Sequence, residues 1–433
     1  AAGVVASAYL GKKLEVDSIL SFDMGGTTAK AGLVVGGEPR MAYECEVGGR
    51  VHRGRVVKGS GYPVRFPFVD LAETSAGGGT IAWVDAAGLL RVGPLSAGAD
   101  PGPVCYNKGG RELTVTDANL LLGRLNSRYL LGGELPLASE LSAKAVEQEI
   151  CEKTGLGVSE AAYGIVRIIN SDMSRILRIV STERGYDLRE FAMVAFGGAG
   201  PMHACDLAEE LGVSRIVVPV SPGLFSAFGL LASSVRHSYV KSIIERQARA
   251  DPTRLKKWYR ELEDEGQAVL GREGFGDREI HLLREMDLRY LGQSYELTVP
   301  VRRPMVAKTL RAATLRFHSE HRRTYGYSVV EEDVEIVNLR VTAIGRIPEP
   351  PMAKATLAEA EPGADSRVEE RNVLFNEEEG FVRSHVFERS TLRPGNVVEG
   401  PAVVEQYDAT TVINPGWKAE ADTSGNIRLV RLA

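Results

Sequence analysis

Residues 19–30 read Ile-Leu-Ser-Phe-Asp-Met-Gly-Gly-Thr-Thr-Ala-Lys. The apolar run predicts a buried strand that ends at Asp23, and the chain resumes as a second strand over 31–35. Between the two strands lies a tight turn that contains Gly25, Gly26, Thr27 and Thr28. Glycines let backbone N–H groups approach a nucleotide phosphate, threonine hydroxyls add donors, and a carboxylate holds Mg²⁺ or orients a water. The alternative for this stretch alone is an ordinary hairpin turn whose aspartate caps the loop.

Two further glycine turns follow predicted strands. The first, Ala76-Gly77-Gly78-Gly79-Thr80, comes after a strand over 70–74. The second, Gly197-Gly198-Ala199-Gly200, joins an apolar strand over 191–196 to a helix over 202–211, an arrangement that places a ligand against a helix N-terminus. It lacks the G-x-G-x-x-G spacing of a dinucleotide fold, so we expect a nucleotide-binding turn of another kind. The candidate ligand-contacting residues of these two turns are Gly77, Gly78, Gly79, Gly197, Gly198 and Gly200.

The composition of this 433-residue chain, with 44% hydrophobic and 25% charged residues, predicts a soluble globular protein of two or three domains. Its net charge of −5 and the lack of a Lys/Arg cluster argue against nucleic acid as the main partner. No apolar run of about eighteen residues predicts a membrane span. The cysteines lie far apart without a C-x-x-C pair, which argues against zinc or disulfides and favours a reducing, cytoplasmic location.

The domain organisation is read from shifts in composition. The chain starts Ala-Ala-Gly-Val-Val-Ala-Ser-Ala without methionine, which predicts a packed small-residue helix and a chain that is a fragment or a processed piece. A polar stretch near 246–252 divides a first domain, 1–245, from a second, 246–433, and the Ala/Glu/Pro-rich stretch 353–371 predicts an exposed linker that subdivides the second. In the first domain, a long helix over 159–184 carries an apolar stripe, which leaves Asn170, Asp172, Ser174 and Arg175 for its solvated face.

Taken together, the three turns resemble those of the superfamily of actin, the heat-shock chaperone ATPases and the sugar kinases, in which two ribonuclease-H-like halves close on ATP. In this resemblance residues 23–28 correspond to the second phosphate turn and residues 197–200 to the adenosine turn. The first phosphate turn would lie upstream of Ala1. The implied fold class is α/β, with an actin-like ATPase lobe followed by a smaller, strand-rich α+β C-terminal domain.

Within that superfamily, the chain resembles the C-terminal portion of the hydantoinase A/5-oxoprolinase family, which is related to acetone and acetophenone carboxylase subunits. The resemblance runs nearly end to end. It is carried by residues 22–30, 76–83 (AGGGTIAW), 92–106 (VGPLSAGADPGPVCY), 114–125, 196–204 (FGGAGPMHA), 222–229, 287–293, 400–405 and 414–417. Many members continue the phosphate turn as Thr-Asp, where this chain has Ala29-Lys30.

The resemblance implies ATP-dependent opening of a cyclic amide such as a hydantoin or 5-oxoproline. It also implies ATP and Mg²⁺ as cofactors, a hydantoinase B-type partner subunit and an oligomeric assembly. Phosphorylation of the ring carbonyl oxygen makes that oxygen a leaving group, and catalysis of such a transfer is mostly positioning and charge neutralisation. One alternative is an ATP-dependent ketone carboxylase subunit. An alternative of another class is a non-catalytic, chaperone-like ATP switch.

Three side chains are candidates for catalysis. Asp23 is expected to orient Mg²⁺ or water, while residues 25–28 donate to phosphates. Asp117 is a candidate second metal or substrate carboxylate, and its alternative role is to cap the helix that begins near Thr116. His203, just inside the helix after the third glycine turn, is a candidate general base, and its alternative role is that of a packed or capping residue.

Overall fold

The computed structural model describes residues 1–43, 45–49, 51–52, 55–56, 60–64, 66–128 and 130–432, with the backbone alone described for residues 45, 51, 52, 55 and 56. The chain divides into two units. The first combines Ala1–Leu231 with Pro351–Ala433, and the second is Ala232–Pro350. Among the helices of the described ranges, none has both the length and the apolar character needed to cross a lipid bilayer.

The α-helices are α1 (Ala2–Leu14), α2 (Val115–Leu121), α3 (Ser139–Val146), α4 (Glu152–Thr154), α5 (Val158–Val180), α6 (Gly200–Leu211), α7 (Phe225–Leu231), α8 (Pro252–Arg272) and α9 (Ala307–Tyr325). A π-helical turn, Glu147–Cys151, joins α3 to α4.

The strands are β1 (Ile19–Met24), β2 (Ala29–Val35), β3 (Glu38–Pro39), β4 (Met41–Ala42), β5 (Cys45–Val47), β6 (Val51–His52), β7 (Arg55–Val56), β8 (Tyr62–Val64), β9 (Phe68–Val69), β10 (Leu71–Thr74), β11 (Thr80–Val84), β12 (Leu90–Ser96), β13 (Ala192–Phe196), β14 (Arg215–Val218), β15 (Val235–Arg246), β16 (Ile280–Tyr290), β17 (Leu297–Pro300), β18 (Val334–Gly345), β19 (Arg367–Leu374), β20 (Phe381–Glu388), β21 (Val397–Glu399), β22 (Ala402–Gln406), β23 (Ala409–Ile413), β24 (Trp417–Ala421) and β25 (Ile427–Arg431).

The main sheet of the first unit has the strand order β10-β2-β1-β13-β14-β25-β24-β21. β1 is antiparallel to β2, with Asp23 opposite Lys30, and parallel to β13, with Asp23 opposite Phe196. Because β1 and β13 are parallel neighbours in this register, the glycine turns that follow them start side by side. This mixed α/β arrangement is consistent with the predicted actin-like lobe.

Helices cover both faces of this sheet. Successive residues of a strand point to opposite faces, so neighbouring residues of β1 pack against different helices. Leu20 and Phe22 of β1 pack in the core that contains the apolar stripe of α5 and the buried side of α6, whereas Ile19 packs with α1 on the other face. The predicted stripe on α5 is confirmed. The prediction that Asn170 and Ser174 lie on its solvated face was wrong, since both are buried. Asn170 hydrogen-bonds to α6, a tertiary contact that helical periodicity does not reveal.

The C-terminal residues return to the first unit. β21, β24 and β25 extend the main sheet, and β25 pairs antiparallel with β14 so that Ile216 lies opposite Leu429. A second sheet of this unit has the order β19-β20-β22-β23. The predicted division at 245/246 differs from this grouping because it falls at the end of β15 and separates strands of one sheet. The stretch 353–363 lacks strands and α-helices, and β19 begins at Arg367.

The second unit is an antiparallel sheet in the order β15-β18-β16-β17, with the helices α8 and α9. Its own core contains Tyr259 of α8 and Phe317 of α9, both fully buried. Asp287, also fully buried, pairs with Arg340 at 2.7 Å and accepts a hydrogen bond from Asn338 at 2.6 Å. This unit therefore has both an apolar core and a satisfied buried charge.

Candidate functional site

The first glycine turn closes the hairpin between β1 and β2. The Gly25 N–H donates to the Thr28 carbonyl at 3.1 Å, and Lys30 Nζ donates to Thr28 Oγ1 at 3.1 Å. A Cβ built on Gly25 or Gly26 has no heavy atom within 4 Å. Within the described ranges, the N–H groups of Gly26 and Thr27 have no hydrogen-bond acceptor. The turn therefore offers a ligand both free backbone donors and open space.

The second glycine turn, after β10, supports the first. Its three N–H groups are all used inside the protein: Gly77 donates to Thr80 Oγ1 at 2.7 Å, Gly78 to the Gly25 carbonyl at 3.0 Å, and Gly79 to the Gly26 carbonyl at 2.6 Å. A Cβ on Gly77 would lie 2.4–2.5 Å from backbone atoms of Gly26 and Thr27. Glycine is needed at 77 because two backbones approach closely there. The donors of this turn position the first turn and are not free for a ligand.

Helix α2 begins against the second turn. The N–H and the hydroxyl of Thr116 both donate to the Gly78 carbonyl, each at 2.8 Å. Thr114 is the N-cap of α2, and Asp117 completes a capping box with it. The start of α2 is therefore fixed by side chains that also fix the second glycine turn.

The Asp117 carboxylate is fully buried and accepts five hydrogen bonds. The donors are Val104 N at 3.3 Å, Cys105 N at 2.8 Å, Thr114 N at 2.9 Å, Thr114 Oγ1 at 2.7 Å and Ser142 Oγ at 2.7 Å. A carboxylate has about four lone-pair sites, so Asp117 has no acceptor capacity left for a metal or substrate. The structure shows the capping role, and we do not include Asp117 among the proposed ligand-binding residues.

The third glycine turn, after β13, packs against the end of β1. Gly197 has a φ of +82°, and a Cβ there would lie 2.3 Å from the Met24 carbonyl oxygen and 2.6 Å from Asp23 Oδ1. The Ala199 N–H donates to the same Met24 carbonyl at 3.0 Å. The N–H of Gly198 has no acceptor within the described ranges. Position 197 therefore requires glycine for packing, while position 198 leaves a donor free.

One cavity of about 240 Å³ brings the turns together. Of the predicted ligand-contacting residues, Gly25, Gly26, Gly78 and Gly198 line it. Gly77, Gly79, Gly197 and Gly200 lie in the contacts between turns and strands, and Thr27 is exposed at the tip of the first turn. The start of α6, at Met202, adds the positive end of a helix dipole to the wall. The remaining wall comes mainly from residues 125, 126, 130, 131 and 135 and from the segment 405–410.

Asp23 and Lys30 face a second, smaller recess on the sheet face that carries α1. Ser226 Oγ donates to Asp23 Oδ2 at 3.2 Å. Burial raises the pKa of Asp23, whereas the hydrogen bond from Ser226 and the charge of Lys30 oppose that rise. Within the described ranges no group of three or more His, Cys, Asp or Glu side chains could hold a metal ion. One carboxylate still fits Mg²⁺, which commonly binds through one or two carboxylates together with phosphates and waters.

His203 is fully buried and is not among the residues that line the cavity. Its Nδ1 donates to Asn170 Oδ1 at 2.7 Å, and the Asn170 amide is itself oriented by donating to Asp206 Oδ2 at 3.1 Å. Asn119 Nδ2 lies 3.4 Å from His203 Nε2. Burial and the Arg124 guanidinium lower the pKa of His203 to about 3. The neutral imidazole therefore joins α2, α5 and α6, which is the packed role.

The hairpin between β22 and β23 is the part of the cavity wall that sequence reasoning missed. Gln406, Tyr407 and Asp408 at its tip all line the cavity. The Gly223 N–H donates to Asp408 Oδ2 at 2.8 Å, which ties the tip to the chain after β14. The only signal in the sequence was that segments 400–405 and 414–417, which carry part of the family resemblance, flank this hairpin.

Two family signatures cover almost the whole chain. The hydantoinase/oxoprolinase signature matches residues 1–239. The chain belongs to this family. The signature of the hydantoinase/oxoprolinase C-terminal domain matches residues 244–432. The resemblance drawn from the glycine turns and the other segments is thereby confirmed.

Relatives of the chain include proteins with different named activities. A Methanocaldococcus jannaschii protein is 48% identical over 431 residues, covering 100% of this chain and 61% of that protein. The caprolactamase subunit alpha of Pseudomonas jessenii is 34% identical over 419 residues, covering 96% of this chain and 58% of that subunit. The acetophenone carboxylase gamma subunit of Aromatoleum aromaticum is 30% identical over 443 residues, covering 98% of this chain and 58% of that subunit. The chain thus spans about three fifths of the length of these relatives.

The solved structures that are similar to this chain include those of two ATP-dependent enzymes. The crystal structure of the ATP-dependent caprolactamase from Pseudomonas jessenii has a TM-score of 0.89 at 32% identity, covering 99% of this chain and 61% of its own. A nucleotide-free structure of acetone carboxylase, an enzyme of ATP-dependent acetone carboxylation, has a TM-score of 0.77 at 26% identity, covering 100% and 61%. Hydantoinase-family subunits with amide-opening and with carboxylating names therefore share this α/β fold.

Proposed function

We propose that this chain carries one half of an ATP site in an enzyme that opens cyclic amides. The observation that carries the proposal is the convergence of the turns after β1 and β13 on one cavity, with free N–H groups at Gly26, Thr27 and Gly198. Free backbone donors in the first turn suit a polyphosphate, while the third turn is proposed to approach the adenosine. The ATP-dependent caprolactamase, at 32% identity, supports the nucleotide assignment.

In this proposal the first turn binds phosphates and its two flanking strands supply charge. Gly26 and Thr27 donate backbone N–H groups, and the hydroxyls of Thr27 and Thr28 add side-chain donors. Asp23 supplies a carboxylate for Mg²⁺, whose charge stabilises the ionised form of a group that burial pushes toward protonation. Lys30, with its ammonium at Thr28 Oγ1, places a positive charge beside the same turn.

The reaction that suits such a site is phosphorylation of an amide carbonyl oxygen. A lactam or hydantoin carbonyl is stabilised by resonance and is a poor electrophile, and phosphorylation turns its oxygen into a leaving group. Catalysis of phosphoryl transfer depends mainly on positioning and on neutralising charge. The rigid turns supply positioning, and the N–H groups and Lys30 supply neutralisation. We propose hydantoin, 5-oxoproline or a related lactam as the substrate class, with water as the final acceptor.

The second candidate function is that of an ATP-dependent ketone carboxylase subunit. It is favoured by the likeness to the acetophenone carboxylase gamma subunit and to the acetone carboxylase structure. The two functions would share the phosphate turns, so these turns do not separate them. The higher identity to the caprolactamase subunit is the reason we place the amide reaction first.

We further propose that the chain acts in the cytoplasm within an oligomer that contains a hydantoinase B-type partner. The support is that the related caprolactamase and carboxylase chains are named as subunits. Because the chain spans about three fifths of those relatives, the remaining part of the ATP site is expected on residues that correspond to the rest of their length.

The first test is calorimetric titration of ATP–Mg²⁺ into the chain alone and into the longest natural polypeptide that contains it. Binding that is strong only in the longer polypeptide supports an ATP site divided between two lobes. Absence of binding to either folded protein would contradict the ATP assignment.

The second test is ATP turnover with a panel of substrates, with and without a co-purified partner. ADP release stimulated by 5-oxoproline, hydantoin or caprolactam supports the amide reaction. ADP release that requires acetone or acetophenone with bicarbonate supports the carboxylase. Turnover that no substrate changes would instead favour the chaperone-like ATP switch.

A further inference from the structure

The tip of the hairpin between β22 and β23 places an aromatic ring at the rim of the cavity. Tyr407 is 56% exposed although it lines the cavity. Its ring packs beside Gly132, where a Cβ would lie 3.0 Å from Tyr407 Cδ2, and its hydroxyl donates to Glu134 Oε1 at 3.4 Å. The leucines 125, 130, 131 and 135 line the same part of the wall. This end of the cavity therefore offers a flat, apolar surface to a ligand.

Asp408 adds a fixed carboxylate to this end of the cavity. Its Oδ2 accepts from the Gly223 N–H at 2.8 Å, and its Oδ1 accepts from Gln406 Nε2 at 2.6 Å. Gln406 Nε2 also donates to the Val220 carbonyl at 3.2 Å. A Cβ on Gly223 would lie 2.8 Å from Asp408 Oδ2, so the close contact requires glycine. Two hydrogen bonds leave about half of the acceptor sites of a carboxylate available.

The hairpin tip is also joined to the third glycine turn. The Gly197 N–H donates to the Pro222 carbonyl at 2.9 Å, and the next residue, Gly223, donates to Asp408. A Cβ on Gly198 would lie 3.4 Å from the Asp408 carbonyl oxygen. The free donor at Gly198 and the carboxylate of Asp408 therefore belong to one connected segment of the wall.

The cavity wall thus has two chemically different parts. The free N–H group at Gly26 suits anionic oxygens, whereas Tyr407, the leucines and Asp408, which lies beside Gly198, suit a flat apolar ring and hydroxyl donors. A carboxylate repels phosphate and accepts hydrogen bonds from sugar hydroxyls. A nucleotide has this same order of groups, with phosphate, sugar and base in sequence.

We propose that the hairpin tip 406–408 and the leucine wall form a nucleoside-recognition surface. Tyr407 packs on the base, and Asp408 accepts a hydrogen bond from a ribose hydroxyl. This inference rests on the proposed ATP site and deepens it, because it assigns the selection of the nucleoside to a C-terminal hairpin outside the glycine turns.

The test compares three ligands, ATP, 2′,3′-dideoxy-ATP and tripolyphosphate, by calorimetry with Mg²⁺ in the full natural polypeptide. Tyr407→Ala is expected to weaken ATP binding about tenfold or more, since base–aromatic stacking is lost, and to leave tripolyphosphate binding unchanged. Asp408→Asn is expected to weaken ATP binding about tenfold and to leave dideoxy-ATP binding unchanged. Asn retains an acceptor oxygen for the Gly223 N–H but not for Gln406 Nε2, so the dideoxy-ATP measurement also shows whether the hairpin tip keeps its fold.

Matched controls are Tyr62→Ala and Asp264→Asn, two exposed positions outside the cavity. ATP affinity equal to wild type in both hairpin variants would overturn the inference while leaving the ATP site intact. An equal loss of ATP and tripolyphosphate binding would also overturn it, since the hairpin would then act only through the fold. A wild-type protein that binds none of the three ligands would overturn the proposed ATP site itself.

Discussion

Glycines 26 and 77 lie on adjacent turns but have different surroundings. A Cβ at position 26 meets open space, whereas a Cβ at position 77 meets the backbone of the first turn at 2.4–2.5 Å. The first glycine is exposed and the second is packed. At the scale of single residues, this difference separates a position open to the proposed ligand from one that serves the fold.

Substituting alanine at each position tests this separation. Gly26→Ala is expected to change the free energy of unfolding by no more than about 0.5 kcal/mol but to weaken ATP binding, because the methyl group enters the space proposed for a phosphate. Gly77→Ala is expected to lower the free energy of unfolding by about 1–3 kcal/mol through overpacking. Urea unfolding measures the free energy of unfolding of both variants, and calorimetry measures ATP binding. Equal stability of the two variants would show that the second turn does not support the first.

The depressed pKa of His203 makes stability depend on pH. Between pH 6.5 and about pH 3 the unfolded chain binds a proton that the buried imidazole does not, so the free energy of unfolding falls as the pH decreases. Above pH 6.5 this contribution is constant. From pH 7 to pH 5 this residue is expected to contribute a loss of about 2 kcal/mol.

The measurement for His203 is urea unfolding of wild type and His203→Gln at pH 7 and pH 5. The loss between the two pH values is expected to be smaller in the variant, because glutamine does not titrate. Other titrating groups contribute equally to both proteins and cancel in the difference. Identical pH dependence in the two proteins would mean that the pKa of His203 is the same in the folded and unfolded states.

The sequence predicted ligand contacts on the first and third turns but did not show which glycine N–H groups and which carboxylates are free. Gly77 and Gly26 look alike in the sequence, since the contact that distinguishes them joins two turns. The sequence did not distinguish whether Asp117 binds a metal or substrate or caps a helix. Five protein donors to its carboxylate show that it is a cap. His203 was left open between base and packed residue, and its buried contacts to Asn170 and Asn119 show the packed role.

At the scale of elements, helix α6 is attached to its surroundings by two arginine–carboxylate pairs of different burial. Arg124 is fully buried and donates to Asp206 at 2.9 Å, where Asn414 Nδ2 also donates at 2.7 Å. One turn further along α6, Glu210 pairs with Arg178 of α5 at 3.1 Å, with both side chains about 40% exposed. Helix α6 thus carries two arginine–carboxylate pairs, one with a buried arginine and one exposed to solvent.

Removing the arginine of each pair tests how much burial matters. Arg124→Met is expected to lower the free energy of unfolding by about 3–5 kcal/mol, because it leaves Asp206 without its charged partner. The matched control, Arg178→Met, is expected to cost less than about 1 kcal/mol, since solvent screens the exposed pair. Chemical unfolding measures both values. Comparable losses would indicate that α6 does not depend on the buried pair for its position.

The hairpin between β22 and β23 shows why an element can be recognised in part and its role missed. Its two strands are short and almost continuously buried, and the segments beside it match the family. Its contact with the cavity depends on Gly223 N donating to Asp408, which joins residues far apart in the sequence. Local sequence patterns predict the strands of such a hairpin but not which other part of the protein the hairpin contacts.

At the scale of the whole molecule, the chain returns to its first unit after an insertion. Trp417 and Leu429 are buried in the same core as Leu20 and Phe22. Residues 232–350 form a separate unit with its own core. The composition shift near 246 predicted one junction near this insertion, but the pairing of β25 with β14 could not be predicted, because each strand reads locally as an ordinary antiparallel strand.

This organisation predicts opposite results for two deletions of similar kind. Replacing residues 232–350 by a short Gly/Ser linker is expected to leave the first unit folded, since its sheet and core are retained. A short linker suffices because Leu231 and Pro351 line the same groove. Truncation after Pro350 is expected to abolish cooperative folding of the first unit, because it removes Trp417 and Leu429 from the core and leaves β14 as an edge strand without β25, whereas residues 232–350 keep their own core. Thermal unfolding followed by circular dichroism measures both outcomes. A cooperative transition of the truncated chain that is absent from a chain of residues 232–350 alone would show that strands β21, β24 and β25 are accessory to the sheet. Failure of the linker variant to fold would show that the inserted unit is required for the first unit to form.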